Sequence, residues 1–190
     1  MTMEVYLIQH GRADDCVIDP YARPLTAEGL AQAKRVAEQC RAWDIQLLCA
    51  STITRAQQTA DSIHEALPDV LRWDLQELEE MNVHDLLTEA AVTPRVATWT
   101  DRQLREGWER LWTRVMPAWV RIRIYAQANG LERVAVVAHA STNTLLLLNW
   151  LGLDWRARDR VSLALDEGAT CKVSLSDADE VRIEWVNRAA

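Results

Sequence analysis

Two histidines of this chain each stand directly after an apolar segment with the composition of a buried strand. His10 follows the run EVYLIQ and precedes Gly11, and His139 follows RVAVVA. In open α/β sheets, ligands collect at the carboxyl ends of the strands, because loops and helix N-termini converge there. We therefore expect two imidazoles at one edge of a sheet, where an imidazole can act as a nucleophile or as an acid or base.

A candidate cation belongs to the same edge. Arg55 lies one turn into the predicted helix that follows the second apolar strand, which ends at Ser51. Phosphoryl transfer needs positive charge around the phosphoryl oxygens, a nucleophile in line and an acid for the leaving oxygen. A neutral imidazole beside an arginine can attack phosphorus and form a phosphohistidine. The other two histidines, His64 and His84, are interpreted as structural.

Strand-like and helix-like segments alternate along most of the chain, which predicts a single three-layer α/β domain with a largely parallel sheet. Thr26 has the residue type and the position that are typical of a helix N-cap. Gly152 has those of a residue at the end of a helix. Strands are predicted within 4–9, 45–51, 69–83 and 133–141, and a terminal β segment at 160–168, 169–176 and 179–187. Helices are predicted within 23–43, 52–67, 103–128 and 142–153.

The composition excludes several classes of partner. The net charge of −7 over 190 residues, without a compensating run of lysine or arginine, argues against a nucleic-acid or membrane surface. The four cysteines lie far apart and show no metal-ligand spacing, so neither a metal site nor a disulfide framework is expected. No signal or membrane-spanning segment is recognisable, which favours the cytoplasm. The oligomeric state stays open.

Four segments, in this order, resemble the signatures of the histidine phosphatases, or phosphoglycerate mutase-like superfamily. They are QHGRA at the first strand end, RPLTAEG before the first helix, STITRAQQTA around Arg55, and VVAHAS at the late strand end. The arginine in RPLT is similar to the small SixA-like phosphohistidine phosphatases. The resemblance implies an α/β/α sandwich over residues 1–190, with a small helical cap at about 82–105.

This resemblance implies roles for individual residues. His10 is expected to be the nucleophile, Arg55 and His139 to bind phosphoryl oxygens, and Gly11 to allow close approach of the backbone. The acid of the family usually stands in Leu-x-Glu, with glycine four residues later. Glu80 fits that register although His84 replaces the glycine, and Glu77 is the alternative. Arg95, Trp99 and Arg102, in or beside the cap, are candidates for contacting the far end of the substrate.

Gln9 departs from the family, which has an arginine that grips the phosphoryl group at this position. Losing a charge-assisted bidentate contact removes roughly 2–4 kcal/mol of transition-state stabilisation. Arg12 is a candidate to restore the charge, and an exposed loop arginine is the other interpretation. In VVAHAS, Ala140 replaces the glycine common in the family, and Ser141 and Asn143 either add donors at the pocket or cap the next helix.

The sequence therefore predicts a phosphatase that needs no metal or cofactor and forms a phosphohistidine on His10. Its substrate is expected to be a small phosphomonoester or a phosphohistidine on a partner protein. The rival hypothesis is a pseudophosphatase, which binds a phosphorylated ligand without turning it over.

Overall fold

The computed structural model describes residues 2–81, 99–178 and 180–190. Six strands and four α-helices alternate through these ranges, and the helical cap predicted at about 82–105 lies largely outside them. In chain order the elements are β1 (Thr2–Gln9), α1 (Ala27–Ala42), β2 (Leu47–Ser51), α2 (Thr54–Ala66), β3 (Leu71–Leu75), α3 (Asp101–Ala128), β4 (Arg133–Ala138), α4 (Ala140–Trp150), β5 (Thr170–Ser176) and β6 (Val181–Arg188). Two short 3-10 turns occupy Gln76–Leu78 and Trp155–Asp159.

The strands form one sheet in the order β3-β2-β4-β1-β5-β6. The first four are mutually parallel, whereas β5 pairs antiparallel with β1 and β6 pairs antiparallel with β5. This mixed sheet, mostly parallel at its centre, confirms the predicted fold class. The long crossovers between the parallel strands run through helices, as that strand direction requires.

Alternation along β1 divides the core into two layers, one on each face of the sheet. Val5 and Leu7 pack into the apolar cluster that includes α3 and α4, while Tyr6 and Ile8 pack into the cluster that includes α1 and α2. All four side chains are at most 2% exposed. A strand buried on both faces needs a continuous apolar run, which explains the composition of EVYLIQ.

The helix ends follow from local chemistry. The Thr26 side chain accepts a hydrogen bond from the backbone N–H of Gly29 and caps α1 as predicted. α4 is followed by Gly152 with a positive φ of 72°. α3 begins at Asp101, two residues before the predicted start, because Thr100 and Gln103 form a capping box. Residues 101–105, the end of the predicted cap, therefore form the beginning of α3.

The strand predicted at 160–168 is wrong. Residues 161–166 form neither a helix nor a strand, and residue 168 is a glycine with a φ of +74°. The alternation that suggested a strand does exist, since Val161, Leu163 and Leu165 pack against the core cluster of α3 and α4. This extended segment is thus half-buried without joining the sheet.

All four cysteines are free thiols. Among the helices of the described ranges, none has the length and hydropathy to cross a membrane.

Candidate active site

The register of the sheet brings the two histidines together. Gln9 at the end of β1 pairs with Ala138 at the end of β4, so the next residues, His10 and His139, leave the sheet side by side. Their ring centroids lie 5.1 Å apart, and the two residues are 6% and 0% exposed. The predicted meeting of two strand-end imidazoles is therefore present in the fold.

The hydrogen bonds of His10 determine which ring nitrogen carries the proton. Nδ1 lies 2.8 Å from the carbonyl oxygen of Gly11, which can only accept, so Nδ1 must donate. Nε2 accepts a 2.9 Å hydrogen bond from Nε of Arg55. Burial, together with the positive charge of Arg55, lowers the pKa of His10 to about 3. The ring is thus neutral at physiological pH, and its Nε2 lone pair faces the site.

Arg55, in the first turn of α2, is the buried cation of the site. Its Nη1 donates to the carbonyl oxygen of Pro20 at 2.7 Å while Nε contacts His10. Nη2 has no hydrogen-bond acceptor among the residues that the structure describes, so one fork of the guanidinium is available to an oxyanion. Burial lowers the pKa of Arg55, but the ordinary pKa of a guanidinium is so far above physiological pH that the charge persists.

His139 is held by Ser51, a residue to which the sequence reasoning assigned no role. The Ser51 hydroxyl accepts from the backbone N–H of Ile53 at 3.3 Å and lies 2.8 Å from Nε2 of His139. Burial, followed by the positive potential of His10 and Arg55, lowers the pKa of His139 well below its ordinary value. In the tautomer in which the Ser51 hydroxyl donates to Nε2, the neutral ring carries its proton on Nδ1. Within the described ranges this buried Nδ1 has no hydrogen-bond partner.

Two helices begin at this edge without a side-chain cap. α2 starts after Ile53 and α4 after His139, and neither residue supplies a capping side chain. Ser141, for which helix capping was one of two predicted roles, does not cap α4; its Oγ is buried without a partner among the described residues. At the start of α2, however, the N–H of Thr54 donates to the carbonyl oxygen of Tyr21 at 3.3 Å and that of Ala56 to the carbonyl oxygen of Ile53 at 2.9 Å, so most donors of this helix start are already used. The start of α4 is the better placed of the two to favour an anion.

Glu80 has the properties of a general acid. Its carboxyl accepts from the backbone N–H of Met81 at 2.9 Å. Burial raises its pKa above the ordinary 4.5, and this effect outweighs the lowering by Met81, by the nearby charge of Arg55 and by the backbone N–H of Ser141. A raised pKa keeps a proton available for a leaving oxygen.

The alternative acid, Glu77, is in a different environment. Its carboxylate forms a 2.9 Å ion pair with Arg121 on α3. Partial burial raises the pKa of Glu77, but hydrogen bonds from its own backbone N–H and from Arg121, and the nearby charge, lower it overall. The pKa of Glu77 is thus lowered where that of Glu80 is raised. The electrostatics favour Glu80 as the acid.

Two residues not identified from the sequence hold the segment that carries Glu80. Arg114 of α3 donates to the carbonyl oxygens of Gln76, Glu77, Glu79 and Glu80 at 3.1–3.4 Å. The Thr142 hydroxyl of α4 donates to those of Leu78 and Glu79, at 3.3 and 3.1 Å. These bonds fix the position of the acid relative to the helices behind it.

Gln9 lies beside His10, whereas Arg12 points elsewhere. The side chain of Gln9 is buried, with Nε2 3.4 Å from Nε2 of His10. The guanidinium of Arg12 is exposed and forms a 2.9 Å ion pair with Glu28. The hypothesis that Arg12 restores the missing charge at the site is therefore not supported, and the exposed-loop interpretation describes Arg12 better.

Gly11 is required by contact between chain segments. A Cβ at this position would lie 2.4 Å from the carbonyl oxygen of Gly29 in α1. The N–H of Gly11 donates to the Thr59 hydroxyl at 3.1 Å, and this hydroxyl donates in turn to the carbonyl oxygen of Arg55. The contact with Gly29 alone thus requires glycine here, and the expected close approach of substrate stays a prediction. Gly11 ties the loop after β1 to α1 and α2.

The residues suggested for contacts with the far end of the substrate are dispersed. Trp99 is buried in the core cluster of α3 and α4, and Arg102 is exposed and paired with Glu106 at 2.9 Å. Arg95 and His84 lie outside the described residues. His64 is in α2, away from the strand ends, with its Nδ1 buried and unbonded among the described residues.

Comparison with known proteins agrees with this geometry. The family model of the histidine phosphatase superfamily (branch 1) matches residues 5–188. A curated relative, "Probable phosphoglycerate mutase GpmB" of Enterobacter sp. (strain 638), is 33% identical over 119 residues, which are 57% of this chain and 48% of the relative. The match thus spans about half the length of that relative.

Solved structures share the fold. The alpha-ribazole phosphatase from Shigella flexneri superposes with a TM-score of 0.77 at 21% identity, covering 97% of this chain and 96% of that one. The protein histidine phosphatase SixA, complexed with tungstate, gives a TM-score of 0.66 at 18% identity, with 98% and 97% covered. Since the family match covers nearly the whole chain, the protein belongs to the histidine phosphatase superfamily.

Proposed function

We propose that the protein is a phosphatase that hydrolyses a phosphomonoester through a phosphohistidine on His10. The observation that carries this proposal is the state of the His10 ring. Its proton is held on Nδ1 by the Gly11 carbonyl oxygen, and its Nε2 lone pair lies beside a buried guanidinium. Because the ring is already neutral, it needs no base to become a nucleophile.

In the first step, Nε2 of His10 forms a bond to phosphorus while the bond from phosphorus to the leaving oxygen breaks. Arg55 must exchange its hydrogen bond to Nε2 for one to a phosphoryl oxygen, since that lone pair makes the new bond. Glu80 gives its proton to the leaving oxygen, which departs as an alcohol. Nδ1 keeps its proton throughout, and the ring carries a positive charge in the phosphohistidine.

In the second step, a water molecule attacks the phosphohistidine. The ionised Glu80 takes a proton from this water as the oxygen bonds to phosphorus. The bond between nitrogen and phosphorus breaks, its electron pair returns to Nε2, and inorganic phosphate leaves. Glu80 is protonated again, so both residues regain their starting states.

The donors around the histidines would hold the phosphoryl oxygens. They are Nη2 of Arg55, Nδ1–H of His139, the amide of Gln9 and the N–H groups at the start of α4. Of these, Arg55 alone brings a permanent charge. Negative charge developing in the transition state is therefore met by one guanidinium and several neutral dipoles, an arrangement that preorganised donors can support.

We expect His10→Ala to abolish hydrolysis of p-nitrophenyl phosphate, because the substitution removes the attacking lone pair. His64→Asn is the matched control and should keep wild-type kcat/KM, since His64 lies away from the site. Circular dichroism would verify that both variants are folded. Turnover by His10→Ala at more than about a thousandth of the wild-type rate would contradict covalent catalysis.

The pH profile should be bell-shaped. Activity rises with pH through about 3, where His10 loses its proton. It falls as pH rises through the pKa of Glu80, which lies above 4.5, because the leaving oxygen then has no acid. Glu80→Gln should remove the alkaline limb. It should also lower kcat by about 10²- to 10⁴-fold for an alkyl phosphate, and by less for p-nitrophenyl phosphate, whose phenolate leaves unaided.

Glu77→Gln is the control for Glu80→Gln. It should keep both limbs of the pH profile and most of the wild-type activity. If Glu77→Gln loses the alkaline limb while Glu80→Gln retains it, the acid is Glu77 and the assignment is wrong. An equal loss for both esters in Glu80→Gln would likewise contradict a role in protonating the leaving oxygen.

Gln9→Arg should raise kcat/KM for p-nitrophenyl phosphate by about tenfold or more, since a hydrogen bond from a charged donor contributes roughly 1.5–3 kcal/mol. Gln9→Met keeps the length of the side chain and removes its donor, and it should lower kcat/KM. An unchanged rate in both variants would place residue 9 away from the phosphoryl group. A silent wild type beside an active Gln9→Arg would instead support the pseudophosphatase, which binds and does not hydrolyse.

A further inference from the structure

A cavity of about 430 Å³ adjoins the acid, and its walls are mainly apolar. Glu80 and Ser141 form the end nearest the histidines. Leu104 and Trp108 of α3 form one wall, and the half-buried segment after the second 3-10 turn, including Val161 and Leu163, forms another. A group that leaves with the proton of Glu80 would depart into this space.

Arg158 brings a positive charge into this apolar surrounding. It lies in the 3-10 turn Trp155–Asp159, and its guanidinium carbon stacks 4.3 Å from the ring centroid of Trp108. Burial lowers its pKa from the ordinary value, so the guanidinium is partly desolvated. The stacking fixes the plane of the guanidinium while leaving its N–H edge open to a ligand.

No carboxylate of the described ranges lies within ion-pair distance of Arg158. The neighbouring carboxylate, Asp159, is paired instead with Arg105 at 3.5 Å. The charge of Asp159 opposes the effect of burial on Arg158 only in part, since the pKa is lowered overall. Desolvation of this cation is therefore unfavourable, and an anionic ligand group would offset the remaining cost. A planar guanidinium matches a carboxylate or a phosphate in geometry as well as in charge.

We propose, on the basis of the function proposed above, that this cavity receives the leaving group and that Arg158 determines its specificity. The preferred leaving alcohol has an apolar body of about the size of one ring, which contacts Leu104, Trp108 and Leu163. It also bears an anionic group, a carboxylate or a second phosphate, which pairs with Arg158. A protein phosphohistidine, whose leaving imidazole lacks such an anion, is not the preferred substrate.

The test compares aryl phosphates that differ in one group. 4-Carboxyphenyl phosphate and 4-carbamoylphenyl phosphate have nearly the same shape, but only the first has an anionic substituent. Wild-type kcat/KM should favour the carboxylate by about tenfold or more, mainly through KM. Comparing kcat/KM for 1,4-phenylene bisphosphate with that for 4-carboxyphenyl phosphate shows whether a phosphate or a carboxylate pairs better with Arg158. A phosphoramidate of imidazole represents the protein substrate.

Arg158→Gln should reduce the ratio of carboxylate to carbamoyl substrate to within about twofold of one, and Arg158→Lys should keep part of it. Arg156→Gln is the matched control. Arg156 lies in the same turn and stacks on Trp155 at 4.8 Å, but it is paired with Asp154 at 2.6 Å and borders a different cavity. It should keep the wild-type ratio. Thermal melting verifies that each variant is folded.

Failure of this inference differs from failure of the proposed function. If turnover requires His10 but shows no preference for the carboxylate, or if the phosphoramidate is the better substrate, the specificity proposal is wrong and the phosphatase stands. If no ester is hydrolysed, the phosphatase proposal fails. Saturation-transfer NMR with 4-hydroxybenzoate and 4-hydroxybenzamide then decides the specificity proposal, which requires stronger binding of the benzoate and its loss in Arg158→Gln.

Discussion

The hydrogen bond from Nδ1 of His10 to the carbonyl oxygen of Gly11 is the interaction on which the rest of the site depends. It fixes both the tautomer and the orientation of the ring, so the remaining lone pair, on Nε2, faces Arg55. Gly11 can take this position because α1 begins against it with another glycine, Gly29, and any Cβ between them would collide with the backbone. The reactivity of one nitrogen is thus determined by packing between a strand end and a helix start.

Burial controls the charges of the site. It keeps His10 and His139 neutral, and it raises the pKa of Glu80 so that this carboxyl tends to stay protonated. Arg55 retains its charge because the ordinary pKa of a guanidinium is far above physiological pH. A buried site with two neutral imidazoles and a carboxyl whose pKa is raised avoids part of the cost of several unpaired charges. It also presents a nucleophile and an acid in the states that their proposed roles require.

Patterns in the sequence predict those parts of the protein that depend on local order. Apolar runs ending in histidine predict the strand ends, and the sheet register then places His10 beside His139. The support of these residues could not be predicted, because it comes from contacts distant in the chain. Ser51 and His139 are 88 residues apart, and Arg114 holds the segment of Glu80 across 34 to 38 positions. Apolar residues alternate at 160–168, and this pattern predicted a strand. Such alternation shows which side chains are buried, but it does not show whether a neighbouring strand is present to form hydrogen bonds.

The most direct test of the account is to identify the phosphorylated nitrogen. Rapid quenching at alkaline pH during turnover, followed by NMR of the isolated peptide, distinguishes phosphate on Nε2 from phosphate on Nδ1. Because Nδ1 holds its proton toward Gly11, the account predicts a phosphohistidine at His10 modified on Nε2 alone. Modification on Nδ1, or on any residue other than His10, would contradict it.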